Sequence, residues 1–100
     1  MEFEYDPQKS EANERKHGIA LEEAKKLWEM PAVTLEGRIL QERRFVRIGL
    51  LREKFYSCVF TYRDFKIRLI SLRRSRDYEI KIYWERSGHE KEATEEDLSK

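Results

Sequence analysis

The chain has 100 residues, 41% of them charged and 39% hydrophobic, which suits one domain with a thin core under a charged surface. Its 21 Lys plus Arg nearly balance its 20 Asp plus Glu, giving a net charge of +1. No apolar run approaches the roughly 20 residues of a membrane span, the acidic opening MEFEYDPQKS has no apolar stretch of the secretory-signal kind, and the single cysteine, Cys58, has no internal disulfide partner, which fits a cytoplasmic setting.

In chain order, residues 2–5 alternate polar and aromatic, as a short strand does. Asp6 and Pro7 then form a helix start: a carboxylate that accepts from the first free N–H groups, followed by a residue preset for the first helical position. The basic run Arg15-Lys16-His17 before Gly18 is a matching helix stop, so a first helix is expected over 7–17. Residues 20–29 predict a second, amphipathic helix. Leu21, Ala24, Leu27 and Trp28 share a face, and Pro31 ends it. From Ala32 to Leu72 the pattern becomes strand-like, over 32–35, 44–51, 55–62 and 66–72, with short charged connections that predict antiparallel neighbours. Helical spacing returns over 75–86, with Ile80, Tyr83 and Trp84 on one face. The expected fold is α+β, ordered β-α-α-β-β-β-β-α, with helices on one face of an antiparallel sheet of four to five strands. Residues 1–86 form the expected single domain, and 87–100 a charged tail.

The near-zero net charge hides a division. Residues 1–36 carry 5 basic and 9 acidic groups, residues 37–76 carry 12 and 3, and residues 77–100 carry 4 and 8. The central block of +9 contains ten arginines, Arg38 included, and two lysines. Guanidinium makes bidentate phosphate contacts and stacks on bases, so this bias favours a nucleic-acid partner. A basic sheet with interleaved aromatics suits single-stranded RNA better than duplex DNA, whose groove needs a clean recognition element. RNA also brings its own nucleophile, the 2′-OH, so its cleavage requires only a base, cations and an acid. Two histidines with no CxxC or HExxH spacing leave no zinc site, and no cofactor is expected.

A family resemblance enters on particular residues. Phe3, Tyr5-Asp6-Pro7, Lys9, Asn13, Lys16-His17-Gly18-Ile19 and Glu22-Glu23-Ala24 resemble the opening of BrnT toxins. Further on, Arg44-Phe45, Ile48-Gly49, Phe60-Thr61-Tyr62, Ile67-Arg68, Ile70-Ser71, Arg73, Ser75, Glu79 and Tyr83 resemble the rest of that family in order and spacing. Tyr5 stands where the family often has Trp, and Ser75 where Ala is common. The resemblance implies a RelE-like α+β fold and metal-independent RNA cleavage that halts growth. It also implies neutralisation by a BrnA-like antitoxin, a ribbon-helix-helix protein through which alone the complex would touch operator DNA.

Arg68 and Arg73 match motif positions and are expected at the phosphate during catalysis; ion pairing with Glu79 or Glu42 is the plainer alternative. His17 titrates in the right range for acid–base work, although a histidine before a C-terminal Gly is also a common helix end. Lys9 is expected to reach the RNA backbone at the catalytic site. Arg44, Lys16, Arg47, Tyr62 and Arg76 are expected to contact RNA. Glu79 and Tyr83, four apart on the last helix, are expected to hold an arginine in place, and Asn13 to bond a loop carbonyl. Two other functions fit the same patch: a non-catalytic module binding RNA or an acidic protein, and a degenerate toxin serving only as corepressor.

Overall fold

The computed structural model describes residues 1–37 and 42–87. Arg38 and nearly all of the expected tail therefore lie outside the described residues. The elements are β1 (Phe3–Glu4), α1 (Pro7–His17), a 3-10 helix (Leu21–Trp28), β2 (Val33–Glu36), β3 (Phe45–Leu51), β4 (Lys54–Arg63), β5 (Lys66–Arg74) and α2 (Asp77–Arg86).

Helix α1 starts and stops as its sequence predicts. Asp6 accepts from the Gln8 N–H at 2.9 Å, and Gly18 takes the left-handed conformation at φ 75° while its N–H donates to the Glu14 carbonyl. The helix is polar all round, and its one buried residue is Asn13. That side chain does the docking. Its Nδ2 donates to the carbonyls of Ile19 and Leu72, both at 2.8 Å, and its Oδ1 accepts from the Leu72 N–H at 3.0 Å. Asn13 thus pairs with β5 as a neighbouring strand would, satisfying an edge that β1 is too short to reach.

The second helix differs from expectation. It is a 3-10 helix, closed by bonds such as Glu29 N–H to the Lys26 carbonyl at 3.0 Å. Its fully buried residues, Leu21, Ala24 and Leu27, recur every third position. Three residues per turn is the 3-10 period, so this winding keeps all three in one line against the sheet. Gly49 on β3 permits the close approach. A Cβ there would lie 3.0 Å from Leu27 Cδ2 and 3.2 Å from Ala32 Cβ.

The sheet order is β1-β5-β4-β3-β2. Four strands are antiparallel as expected, but β1 adds at the edge parallel to β5, pairing Phe3 with Ile67 and Glu4 with Arg68, so the sheet is mixed. Two hairpins turn in two residues each, Arg52-Glu53 and Asp64-Phe65, all four at positive φ. Between β4 and β5 the register shifts: Val59 faces Ser71, and Phe60 faces Leu69. Ile70 is the extra residue of a β-bulge there.

One sheet face carries Tyr56, Cys58, Phe60, Ile67, Leu69 and Leu72, which pack with Ile19 and the 3-10 helix into the main core. The expectation of all helices on this face does not hold. Phe55 and Ser57 alternate to the opposite side, and there α2 lies: Tyr83 packs edge-on to Phe55 at 5.0 Å and Glu79 bonds Ser57. Arg63 and Lys66 close the β4–β5 hairpin at the far end from Phe55.

Candidate functional site

The first turn of α2 builds a buried polar cluster around Glu79. Arg76 caps the helix, and Glu79 is its third residue, where a side chain can turn back to the cap. Glu79 Oε1 accepts from the Arg76 N–H at 2.8 Å, from Ser57 Oγ at 2.8 Å and from Arg73 Nη1 at 2.9 Å, while Oε2 accepts from Arg73 Nη2 at 2.9 Å. Ser75 Oγ lies 2.7 Å from Ser57 Oγ. The carboxylate is 1% exposed. Burial alone would raise its pKa, but hydrogen bonds from Arg73, the Arg76 backbone and Ser57 outweigh that and bring it down to about 2. The pair is bidentate, the geometry that fixes a guanidinium most firmly.

Arg73 is therefore held, not loose. Its Nη1 also donates to the Arg74 carbonyl at 3.2 Å. Of the five guanidinium donors, Nε–H and one Nη2 hydrogen have no bond among the described residues. His17, at the end of α1, is close enough to feel this charge. Its pKa is lowered by burial first, then by Lys16 and Arg73, so its imidazole is neutral at pH 7. Arg73 and Glu79 thus pair where β5 runs into α2, with His17 near enough for the guanidinium to act on its imidazole.

The other sequence-predicted residues are dispersed. Arg68 lies opposite Thr61 and Arg73 opposite Ser57, so the two arginines share a face but sit about 13 Å apart along it. The partner of Arg68 is Glu4 at 3.1 Å, neither Glu79 nor Glu42. Lys9 is exposed on α1, two turns or about 10 Å from Lys16. Arg44 is half-exposed, with a loose contact to Glu42 at 3.4 Å. Arg47 faces the main core. It donates to the Leu27 carbonyl and to Thr34 Oγ1, both at 2.9 Å, and lies 5.1 Å over the Trp28 ring, tying the 3-10 helix to the sheet. Arg76 contributes its backbone N–H to the cluster. Glu79 pairs with Arg73, the plainer alternative for that arginine, and Tyr83 packs against Phe55 and Trp84. Tyr62 is 57% exposed at the far end of β4. Ser57 carried no sequence signal as a site residue, since a serine within an apolar strand reads the same whether or not it meets a carboxylate, and Ser75 entered only as a position of the family resemblance.

Cys58 is fully buried and its thiol pKa is pushed far up by that burial, so it is no nucleophile. Among the described residues, no group of three or more His, Cys, Asp and Glu is placed to hold a metal ion, and no helix is long and apolar enough to cross a membrane.

The fold and this cluster define a small α+β protein in which a buried carboxylate fixes one arginine on a face of a five-stranded sheet. A family model described as the ribonuclease toxin BrnT of type II toxin–antitoxin systems matches residues 5–79, and the chain belongs to that family. As a member of a type II family it has an antitoxin partner. No curated protein and no solved structure matches the chain.

Proposed function

We propose that this chain is a metal-independent endoribonuclease that cuts RNA beside Arg73 and His17 and arrests bacterial growth until a BrnA-like ribbon-helix-helix antitoxin covers it. The observation that carries the reading is the Arg73–Glu79 pair. A buried carboxylate fixes the guanidinium, and two of its N–H donors are left for a phosphate. In the reaction the RNA 2′-oxygen attacks phosphorus, the bond to the 5′-oxygen breaks, and a 2′,3′-cyclic phosphate and a 5′-hydroxyl result. Neutral His17 takes the 2′-OH proton. Arg73 stabilises the charge that builds on the phosphorane oxygens. Lys16 supplies the proton for the leaving oxygen. Arg68, Arg44 and Lys9 hold the flanking phosphates, and Arg76 lies beside the cut. The cytoplasm is where substrate and antitoxin are both found, and operator DNA is touched only through the antitoxin.

The test is cleavage of a single-stranded RNA by purified protein in EDTA, with His17→Ala and Arg73→Lys as variants. Expected are cleavage by the wild type and loss of about 10²–10⁴-fold in rate for His17→Ala at unchanged thermal stability. Cleavage that needs added divalent metal, or that His17→Ala leaves intact, refutes the mechanism. RNA that is bound but never cut points to the non-catalytic module.

A further inference from the structure

The opposite end of the sheet carries a second feature, separate from the Arg73 cluster. An open cavity of about 320 Å³ is lined by Glu42, Arg43, Phe45, Thr61 and Tyr62. That volume is at the small end for ligand pockets, suited to one planar group. Its aromatic wall is rigid. Phe3, Trp28, Phe60, Phe45 and Tyr62 pack in an unbroken chain with ring centroids 4.9 to 5.6 Å apart, and only the last ring, Tyr62, is largely exposed. Arg43 lies over Phe45 at 5.6 Å.

Three residues on from Tyr62, Phe65 is wholly exposed at the tip of the β4–β5 hairpin with φ 65°. A bulky residue rarely adopts that conformation, and Gly or Asn is the usual occupant of such a turn. Strain held by an exposed aromatic with nothing to pack on is a cost to the free protein, and such costs collect at binding sites. The nearby cations are held in exposed ion pairs, Arg43 with Glu36 and Arg44 and Arg63 with Glu42, while Lys66 follows Phe65 in the chain. Within the cavity the charged groups are Arg43 and Glu42, and the Glu42 carboxylate repels a phosphate and accepts from the N–H edge of a base.

We propose that Tyr62 and Phe65 form a base-stacking subsite for single-stranded RNA, with one base seated in the cavity against Tyr62 and the backbone phosphates turned outward to the surrounding cations. The assignment rests on the ribonuclease reading and extends it. The subsite lies about 17 Å along β4 from Ser57 and, an odd number of residues away, on the other sheet face, so it grips the RNA away from the cut and selects single strands, whose bases are free to stack.

The experiment is fluorescence anisotropy of a labelled 2′-O-methyl RNA oligonucleotide, which resists cleavage, with full-length wild type, Tyr62→Ala, Tyr62→Phe and Phe65→Gly. The same oligonucleotide with abasic sites completes the set. Tyr62→Ala is expected to weaken binding about 5- to 100-fold and Tyr62→Phe to preserve it. Phe65→Gly is expected to weaken binding while raising the melting temperature, because it relieves the turn. The abasic strand is expected to bind wild type as weakly as the full strand binds Tyr62→Ala. Wild-type affinity in both Tyr62→Ala and Phe65→Gly overturns the subsite and leaves the ribonuclease reading standing. Wild type that binds no RNA at low salt overturns both.

Discussion

Replacing Arg73 with Met separates what this residue does for the fold from what it does for RNA. The substitution removes the partner of a carboxylate whose side chain is 2% exposed, while the guanidinium itself is 18% exposed. Breaking a buried pair from one side costs about 3–5 kcal/mol, since the remaining charge keeps its desolvation penalty. For a domain of this size that lowers Tm by on the order of 15–30 °C. The reverse change, Glu79→Leu, strands only the more exposed partner, and Ser57 keeps Ser75, so it costs less. The double variant Arg73→Met/Glu79→Leu removes both charges and regains most of the loss, because an apolar pair of similar size often replaces a buried ion pair at little cost. Stability against pH supplies a second measure. The carboxyl of Glu79 moves from an ordinary 4.5 to about 2 on folding. A lowered folded-state pKa contributes stability above the unfolded value and loses it as pH falls through the folded one. At about 1.4 kcal/mol per unit, Glu79 therefore contributes roughly 3 kcal/mol at neutral pH, lost between about pH 5 and pH 2. Urea denaturation of the four proteins at pH 7 and pH 3 measures all of this. An Arg73→Met cost below about 1 kcal/mol, or a wild-type loss toward pH 3 that Glu79→Leu shares in full, refutes the account of Glu79 as a buried anchor. The result also decides the choice of catalytic variant: Arg73→Lys keeps a charge for Glu79, whereas Arg73→Ala confuses lost chemistry with lost structure.

Asn13→Ala removes all three side-chain bonds that dock α1. It is expected to cost about 2–3 kcal/mol in chemical denaturation, since the Leu72 N–H and carbonyl lose their partner. Gly49→Ala places a methyl 3.0 Å from Leu27 and is expected to cost about 1–3 kcal/mol through overpacking; a neutral or stabilising effect in the same assay means the 3-10 helix sits less tightly than described. The pH–rate profile of RNA cleavage should fall on its acid side with a midpoint below pH 6.5, the ordinary imidazole value from which burial, Lys16 and Arg73 lower His17; a midpoint above 6.5 removes His17 as the base.

Much of the architecture was legible along the chain because its causes are local. Asp6, Pro7 and Gly18 bound α1 by capping chemistry that involves a few neighbours, and the β4 and β5 segments announce themselves by side-chain type. The cluster was half legible. That Glu79 would hold an arginine was read from its place four before Tyr83 on the last helix, with Arg68 or Arg73 as the candidates, but the choice of Arg73 and the contributions of Ser57 and Ser75 were not, because they depend on how β4, β5 and the turn into α2 come together. Arg47 shows the opposite limit: one more arginine in a basic stretch, it is turned inward by Leu27 and Trp28.

By itself the sequence determined the order of elements, the +9 centre and the family to which these motifs belong, all of them properties of residue type and spacing. The tertiary structure decided which arginines face the same way. Arg68 and Arg73 are five residues apart, and strict strand alternation puts them on opposite sides of the sheet. The bulge at Ile70 adds one residue to β5 against β4, restoring the phase so that both stand opposite same-face residues, Thr61 and Ser57. That shift is a matter of how two strands pair, and no spacing within one strand records it.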